Sequence, residues 1–532
     1  MTDRDMTRGD ITAPDVTGPD GGGLGPRRWW ALGAVSLAVL AVGLDGTVLS
    51  VAIPTLAGAL HASESDLQWF SSAYFLVLAA SMLPAGLLGD RYGHKKVLLS
   101  SLALFGAGSV ASAYSTTVPQ FLASRVLLGL AGAGVIVMAI SALTVLFDPA
   151  ERPKAVGVWA AANFLALPLG PILGGWLLTH HWWGWVFLLN VPVVVIGCVA
   201  VATLVPESRA AQAPGLDPVG VAASSAGLVA VTYGLITAGQ HGWTDTRALL
   251  AQVAGVAILV GFVGWERRLT RRPGGQPLLD LTLFQSASFT WGVVLAAVAV
   301  LAMIGGLFTM PQYFQGVLGT DAMGSGVRLL PLIGGLVVGA LPADRVAALL
   351  GAKVTVATGF ALLAAGFLLG SRTGVSSSDA FVAAWMAVVG MGLGLAMATA
   401  SAAALAELSP ERSGVGSAVL QAVNKVGGPF GTAVLGSVLT AGYLSRLDLT
   451  GLPEPAATAA RQSVFGGVAV AHETGSTALL DSVRAAFVHG MDSSMLVSAG
   501  IAVVGLVLTV LFLPRTAVPS EPEQESRHVE TR

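Results

Sequence analysis

The chain is a succession of fourteen long apolar runs separated by short polar turns. The first eight lie near 29–58, 69–88, 96–114, 119–146, 155–179, 184–205, 218–239 and 247–265. Six more lie near 288–314, 325–343, 353–371, 380–406, 413–440 and 493–513. A helix of about 20 apolar residues crosses the roughly 30 Å hydrocarbon layer of a bilayer. Lipid offers the backbone no hydrogen bonds, so each run must be helical or line a protein cavity. Charged residues are only 11% of the 532, against about 25% in a soluble domain. The expectation is an all-α integral membrane protein of fourteen transmembrane helices, not a soluble enzyme.

The net charge of −2 argues against a nucleic-acid partner. The single cysteine, Cys198, lies in an apolar run, so neither a disulfide framework nor a cysteine metal cluster is expected. The eight histidines are scattered, and no metal or cofactor site is expected. No Gly-x-x-x-x-Gly-Lys-Ser/Thr segment occurs, which excludes ATP hydrolysis by a P-loop. Residues 1–28 and 514–532 read as unstructured tails.

An even number of spans puts both ends on one side, and positive charge selects the side. With a cytoplasmic N-terminus, 20 of the 28 Lys and Arg fall in cytoplasmic segments and five in outer loops. Both termini are therefore expected in the cytoplasm, with segment 443–492 outside.

Residues 86–98 read Gly-Leu-Leu-Gly-Asp-Arg-Tyr-Gly-His-Lys-Lys-Val-Leu, a charged, glycine-bearing hinge between the second and third runs. A weaker copy follows later, from Gly339 through Asp344, Arg345 and Gly351 to Lys353. Gly170-Pro171 with Gly174 and Gly175 is echoed by Gly428-Pro429 with Gly431. Duplicated halves explain both echoes: 29–205 and 288–513, six spans each, flanking two extra spans in 206–287. Repeats of this kind, with a site at their interface, are a transporter architecture.

In these motifs the chain resembles the major facilitator superfamily, in particular its fourteen-span drug:proton antiporters of the EmrB/QacA type. The hinge 86–98 matches the superfamily signature. Leu44-Asp45-Gly46-Thr47-Val48 followed by Val51-Ala52-Ile53-Pro54 matches the first-span motif of the fourteen-span family. Arg125 with Gly129 and Gly132 resembles the fourth-span motif, with Leu128 where a glutamine is usual. Gly170, Pro171, Gly174 and Gly175 resemble the fifth-span motif of exporters. Trp185-Val186-Phe187 with Asn190-Val191-Pro192, and Gly326 with Arg328 and Pro331, also fit. The resemblance implies two six-helix bundles plus two extra helices, and a proton-coupled efflux carrier for drugs, antibiotics or other amphipathic molecules in the cell membrane. A dedicated exporter of one endogenous metabolite would share these motifs, and an uptake symporter is disfavoured by the fifth-span motif. A monomer is expected.

Asp45 lies about 22 Å along the first span from Trp30. A carboxylate at that depth is costly and is either a proton carrier or a structural hydrogen-bonding group. Arg125 enters the fourth span from the outer side at comparable depth, so the two are candidates for an ion pair. Snorkelling to the outer interface is the other reading of Arg125. The resemblance implies proton coupling for both.

For Gly86, Asp90, Arg91, Gly93 and Lys95, with Asp344 and Arg345, it implies a conformational latch between the halves. For Pro168, Gly170, Pro171, Gly174 and Gly175 the residues alone allow close helix packing or a kink, and the resemblance favours a gating kink. Trp159, Asn163, Phe164, Phe308, Met310, Gln312 and Tyr313 are candidate pocket linings, since aromatic and Met surfaces adapt to varied apolar cargo. Gln421 and Lys425 lie around mid-membrane in the thirteenth run. An ammonium there should face a cavity or a carboxylate, which leaves substrate contact and structural pairing both open.

Overall fold

The computed structural model describes residues 27–147, 151–208, 217–272, 279, 281–406 and 410–514, and these are helical, without a strand among them. The helices, in chain order, are α1 (Arg27–Ala59), α2 (Glu64–Tyr92), α3 (His94–Ala113), α4 (Val118–Leu146), α5 (Arg152–His180), α6 (Trp185–Leu188), α7 (Asn190–Leu204), α8 (Pro218–His241) and α9 (Thr246–Thr270). They continue as α10 (Ala287–Gln312), α11 (Ala322–Arg328), α12 (Leu330–Ala340), α13 (Ala343–Leu350), α14 (Ala352–Gly370) and α15 (Asp379–Ala406). The last four are α16 (Pro410–Arg446), α17 (Glu454–Gln462), α18 (Val464–Thr474) and α19 (Thr477–Phe512).

Polar caps stand where the chain re-enters the apolar layer. Ser63 and Asp66 form a capping box at the start of α2, and Thr117, Asp217, Asp245, Ser286 and Asp321 each accept an amide hydrogen bond at the next helix start. Among the described residues eleven helical spans are long and apolar enough to cross a membrane, or twelve with α2, which bends by 47° at Pro84. α5 and α16, of 29 and 37 residues, run alongside them, α5 against α1 and α16 against α10.

Two spans are broken. α6 and α7 meet at Leu189, and α11 and α12 meet at Leu329, ahead of Pro331. Segment 443–492, read from sequence as a loop, contains α17, α18 and the start of α19. Asp481, Arg484, His489 and Asp492 interrupt the apolar run there and hide a helix whose Val483, Phe487 and Met491 are buried.

α1–α7 pack among themselves, and so do α10–α16 with α19; the α8–α9 hairpin leans through α8 on α2 and α16. Helix direction alternates, so one end of the molecule carries Arg27, Arg28, Arg91, Lys95, Lys96 and Arg267–Arg272; we call it the basic end and the other the distal end. The core divides unequally between them. One apolar cluster takes in the distal part of the first bundle, Val48–Ala57 and Phe70, and runs the length of the second, from Phe289 and Ala404 to Phe314 and Met491. A second, from Ala31–Val42 through Met82 and Leu143 to Val205, belongs to the first bundle, with Ala422 of α16 packed against it. The bundles thus share a core at the distal end.

Candidate functional site

Asp45 and Arg125, placed at similar depth by sequence, form an ion pair: Arg125 Nη1 donates to Asp45 Oδ2 at 2.6 Å, and both side chains are fully buried. Arg125 Nε donates to the Phe70 carbonyl oxygen at 3.1 Å. Its Nη2 is buried without an acceptor, and the guanidinium lies 4.4 Å from the Tyr74 ring centroid, a cation–π contact. The Tyr74 hydroxyl donates to the Val42 carbonyl oxygen at 3.0 Å. Asn190 Nδ2 lies 3.3 Å from Ser109 Oγ and 3.5 Å from Asp45 Oδ1.

The local sequence accounts for this nest. Arg125, Gly129 and Gly132 follow i, i+4, i+7 spacing and share one face of α4. A Cβ on Gly129 would stand 2.6 Å from the Tyr74 carbonyl oxygen, and one on Gly132 3.4 Å from the Tyr74 hydroxyl. The glycines therefore let α2 close on α4 and bring Tyr74 under the guanidinium. Leu128 is buried against Gly108 of α3, away from the ion pair, so the departure from the usual glutamine leaves the pair intact.

Beyond Asp45, α1 carries its contacts outward. Gly46 faces the Phe75 ring of α2, whose ring also faces Gly428 of α16. Thr47 Oγ1 donates to the Ala166 carbonyl oxygen of α5 at 3.0 Å, and Gly170 and Gly174 close on Thr47 and Val48. One turn on, Gly175 meets Ala322 and Met323 of α11, while Gly326 of α11 meets the Pro171 carbonyl. The fifth-span glycines thus face α1 and the opposite bundle, and α5 continues as one helix through them. The side chains of Pro168, Asn163 and Phe164 lie outside the described residues.

The distal end is tied by polar contacts as well. Gln312 Nε2 donates to Glu64 Oε1 at 3.3 Å, Gln315 Nε2 to the Val51 carbonyl oxygen at 3.3 Å, and Gln68 Nε2 to Thr440 Oγ1 at 3.3 Å. All three cross between bundles. Phe308, Met310 and Tyr313 are packed in the shared core, with the Tyr313 hydroxyl donating to the Gly374 carbonyl oxygen at 2.8 Å. They line a closed distal seam. A π-turn, Tyr313–Val317, ends α10 at this place.

At the basic end the hinge is held within its own half. His94 Nε2 lies 3.1 Å from Asp90 Oδ1, the Lys95 amide donates to Glu207 Oε1 at 3.1 Å, and Lys95 Nζ donates to the Ala202 carbonyl oxygen at 2.7 Å. Gly93 has φ +107°, and a Cβ there would collide with the Glu207 carboxylate, so the position needs glycine on both counts. Gly86 faces Val137 of α4. Arg91 is exposed over the Tyr92 ring, and Asp344 and Arg345, in the first turn of α13, are exposed.

Trp159 is buried in the first-bundle cluster with its indole N–H unbonded. Gln421 and Lys425 share a face of α16, partly exposed and without a hydrogen-bond partner among the described residues. Sequence reasoning assigned no role to Tyr74, Phe75, Asn190, Glu64, Gln68 or Glu207. Only Asn190 stood in a quoted motif; the others are ordinary polar or aromatic residues until the helices bring them together.

Two helical bundles sharing a core at one end, around a buried acid–base pair, define a membrane carrier of the alternating-access type. The chain belongs to the Major Facilitator Superfamily, whose profile matches residues 35–432. It is 34% identical over 519 residues to the tetracenomycin C resistance and export protein of Streptomyces glaucescens, covering 94% of each chain. It is 33% identical over 493 residues to the multidrug efflux pump LfrA of Mycolicibacterium smegmatis, covering 90% of this chain and 96% of that one. A solved bacterial homologue of the human lysosomal transporter Spinster shares the fold with a TM-score of 0.68 at 15% identity, over 93% of this chain and all of the other.

Proposed function

We propose that the chain is a fourteen-span, proton-coupled efflux carrier of the cell membrane, exporting amphipathic small molecules by alternating access. The observation that carries this reading is the Asp45–Arg125 pair, fully buried and confined to one bundle. The span count rests on α5 and α16 being added to the twelve apolar spans. The units are a first bundle over 29–205, an inserted pair within 206–287 and a second bundle over 288–513. The excess of Lys and Arg at the basic end supports placing it, with both termini, in the cytoplasm. On that orientation the closed distal seam makes this the inward-facing state, and the disengaged hinge with Asp90, Arg91, Asp344 and Arg345 is the latch released. The carrier acts as a monomer.

Coupling follows from the contacts of α1. Protonating Asp45 removes its charge and leaves Arg125 buried beside a neutral acid, a cost of several kcal/mol if nothing moves. Asp45 is followed by Thr47 and Val48, which seat Gly170 and Gly174 of α5, and that face of α5 holds α11 at the distal seam. A shift of α1 therefore reaches the seam through one packed helix. A membrane potential supplies about 2.3 kcal/mol per charge per 100 mV to drive the proton inward.

Export by relatives named for a single compound and for many drugs is compatible with the same core chemistry. The test is ethidium efflux from cells expressing the protein, with and without a protonophore, beside the Asp45→Asn variant. Efflux should stop with the protonophore and in the variant. Efflux that survives collapse of the proton gradient would overturn antiport, and full efflux by Asp45→Asn would remove Asp45 from the coupling.

A further inference from the structure

Lys425 has no partner among the described residues. It lies near the middle of α16, and its ammonium makes neither hydrogen bond nor ion pair with any described residue. The described carboxylates of the spanning helices lie elsewhere. Asp45 is bonded to Arg125, and Glu64 faces Gln312 at the distal end. Asp492 lies on the distal stretch of α19, between Gly490, which meets Leu439, and Ser494, which bonds the Leu435 carbonyl. The basic end of α16 is about 22 Å below Lys425 at 1.5 Å per residue, too far for a lysine side chain to snorkel to water.

The surroundings of Lys425 belong to the seam between bundles. Gln421, one turn nearer the basic end on the same face, is also without a bonded partner. Gly428, one turn the other way, faces the Phe75 ring, whose far edge faces Gly46 beside Asp45. Ala422 packs on the first-bundle cluster that contains Phe75 and Trp159, and the buried Trp159 indole N–H has no acceptor. Asn424 points off this stripe, on the flank where Gly427 and Gly431 meet α10. The seam therefore presents an ammonium without an acceptor among the described residues, an amide free to donate, and an aromatic face. An ammonium at this depth is expensive unless water or a counter-charge reaches it, and an anionic cargo entering the seam would supply that charge.

We propose that Lys425, assisted by Gln421, is an anion-recognising subsite, and that the cargo includes organic anions: a carboxylate, phenolate or sulfonate on an apolar ring system that lies against Phe75. This rests on the efflux reading and names its substrate class. It also aligns cargo with driving force, because an anion leaving a negatively charged cytoplasm runs down the membrane potential.

The experiment uses everted vesicles bearing the full chain, energised by a proton gradient, with fluorescein as anionic probe and ethidium as cationic probe. Wild-type protein should accumulate fluorescein. Lys425→Gln should lower fluorescein transport about tenfold, through KM, the loss expected for one charge-assisted hydrogen bond. Lys425→Arg should restore most of it, and ethidium transport by Lys425→Gln should not fall. A matched series on wild-type protein needs no variant to fold: 2-naphthoate should inhibit fluorescein transport, whereas 2-naphthylmethylammonium and 2-naphthalenemethanol should not. Equal inhibition by all three, or equal loss of both dyes in Lys425→Gln, would overturn the proposal. Ethidium carried without fluorescein would overturn the anion subsite and leave the efflux reading standing; neither dye carried would overturn both.

Discussion

The centres of the two bundles treat charge in opposite ways. In the first, Asp45 and Arg125 satisfy each other, and Phe70, Tyr74 and Asn190 complete the surroundings. In the second, Lys425 stands on α16 with no carboxylate among the described residues to meet it. A closed acid–base pair can change only by gaining or losing a proton, whereas an open ammonium can be satisfied by whatever enters the seam. On the proposed reading, the difference separates a place for coupling from a place for cargo, on two helices that touch the same Phe75 ring.

The largest effect that would break this comparison is on stability. Arg125→Met leaves a buried carboxylate unpaired and should cost about 3–5 kcal/mol, read as a lower unfolding temperature of the purified carrier, with efflux lost. Asp45→Asn keeps an acceptor beside Arg125 and should unfold closer to wild type. Lys425→Met should unfold at or above the wild-type temperature, since it removes an uncompensated charge. A Lys425→Met protein as unstable as Arg125→Met would mean that both bundles hold closed pairs.

A middle-sized effect is expected at the distal seam, where both bundles contribute. Gly326→Val would drive a side chain into the Pro171 carbonyl and hold α5 from α11. Gln68→Cys, in a Cys198→Ser background, should then react faster with a membrane-impermeant maleimide, and efflux should slow severalfold. An unchanged labelling rate would show that the seam closes without this contact.

The smallest expected effect sharpens the comparison between the hinge and its echo. Asp90 is bonded to His94 in the first half, while Asp344 is exposed and without an ion-pair partner among the described residues. A surface pair such as Asp90–His94 is worth about 0–1 kcal/mol. Asp90→Asn should slow transport without weakening cargo binding, and Asp344→Asn should slow it less. Equal rates in the two variants would mean that the duplicated turns act symmetrically.

Much of this was legible in the residues themselves, because membrane physics leaves a chain few options. Long apolar runs have to be helices, the hinge at 86–98 has a weaker echo at 339–353, and the rarity of charge within spans singles out Asp45, Arg125 and Lys425. Their counterparts were not legible. Gly129 and Gly132 look like generic membrane-helix glycines until α2 packs on α4 and puts Tyr74 beneath Arg125. Gln312 and Tyr313 look like pocket linings, and in the state observed Gln312 bonds Glu64 of α2 while Tyr313 is packed in the shared core. Segment 443–492 hides helices because their buried faces are covered by protein, so overall apolarity is no guide to them.

The sequence by itself determined a helical membrane protein, a charged hinge with a weaker echo, and the few residues costly enough to need a reason. Only the tertiary structure decided that Arg125 is spent on Asp45 and that Lys425 meets no carboxylate among the described residues. The physical reason is that burial and pairing are properties of neighbours brought together from distant parts of the chain. A lone charge in a sequence states a cost, and the packed helices show where, or whether, that cost is met.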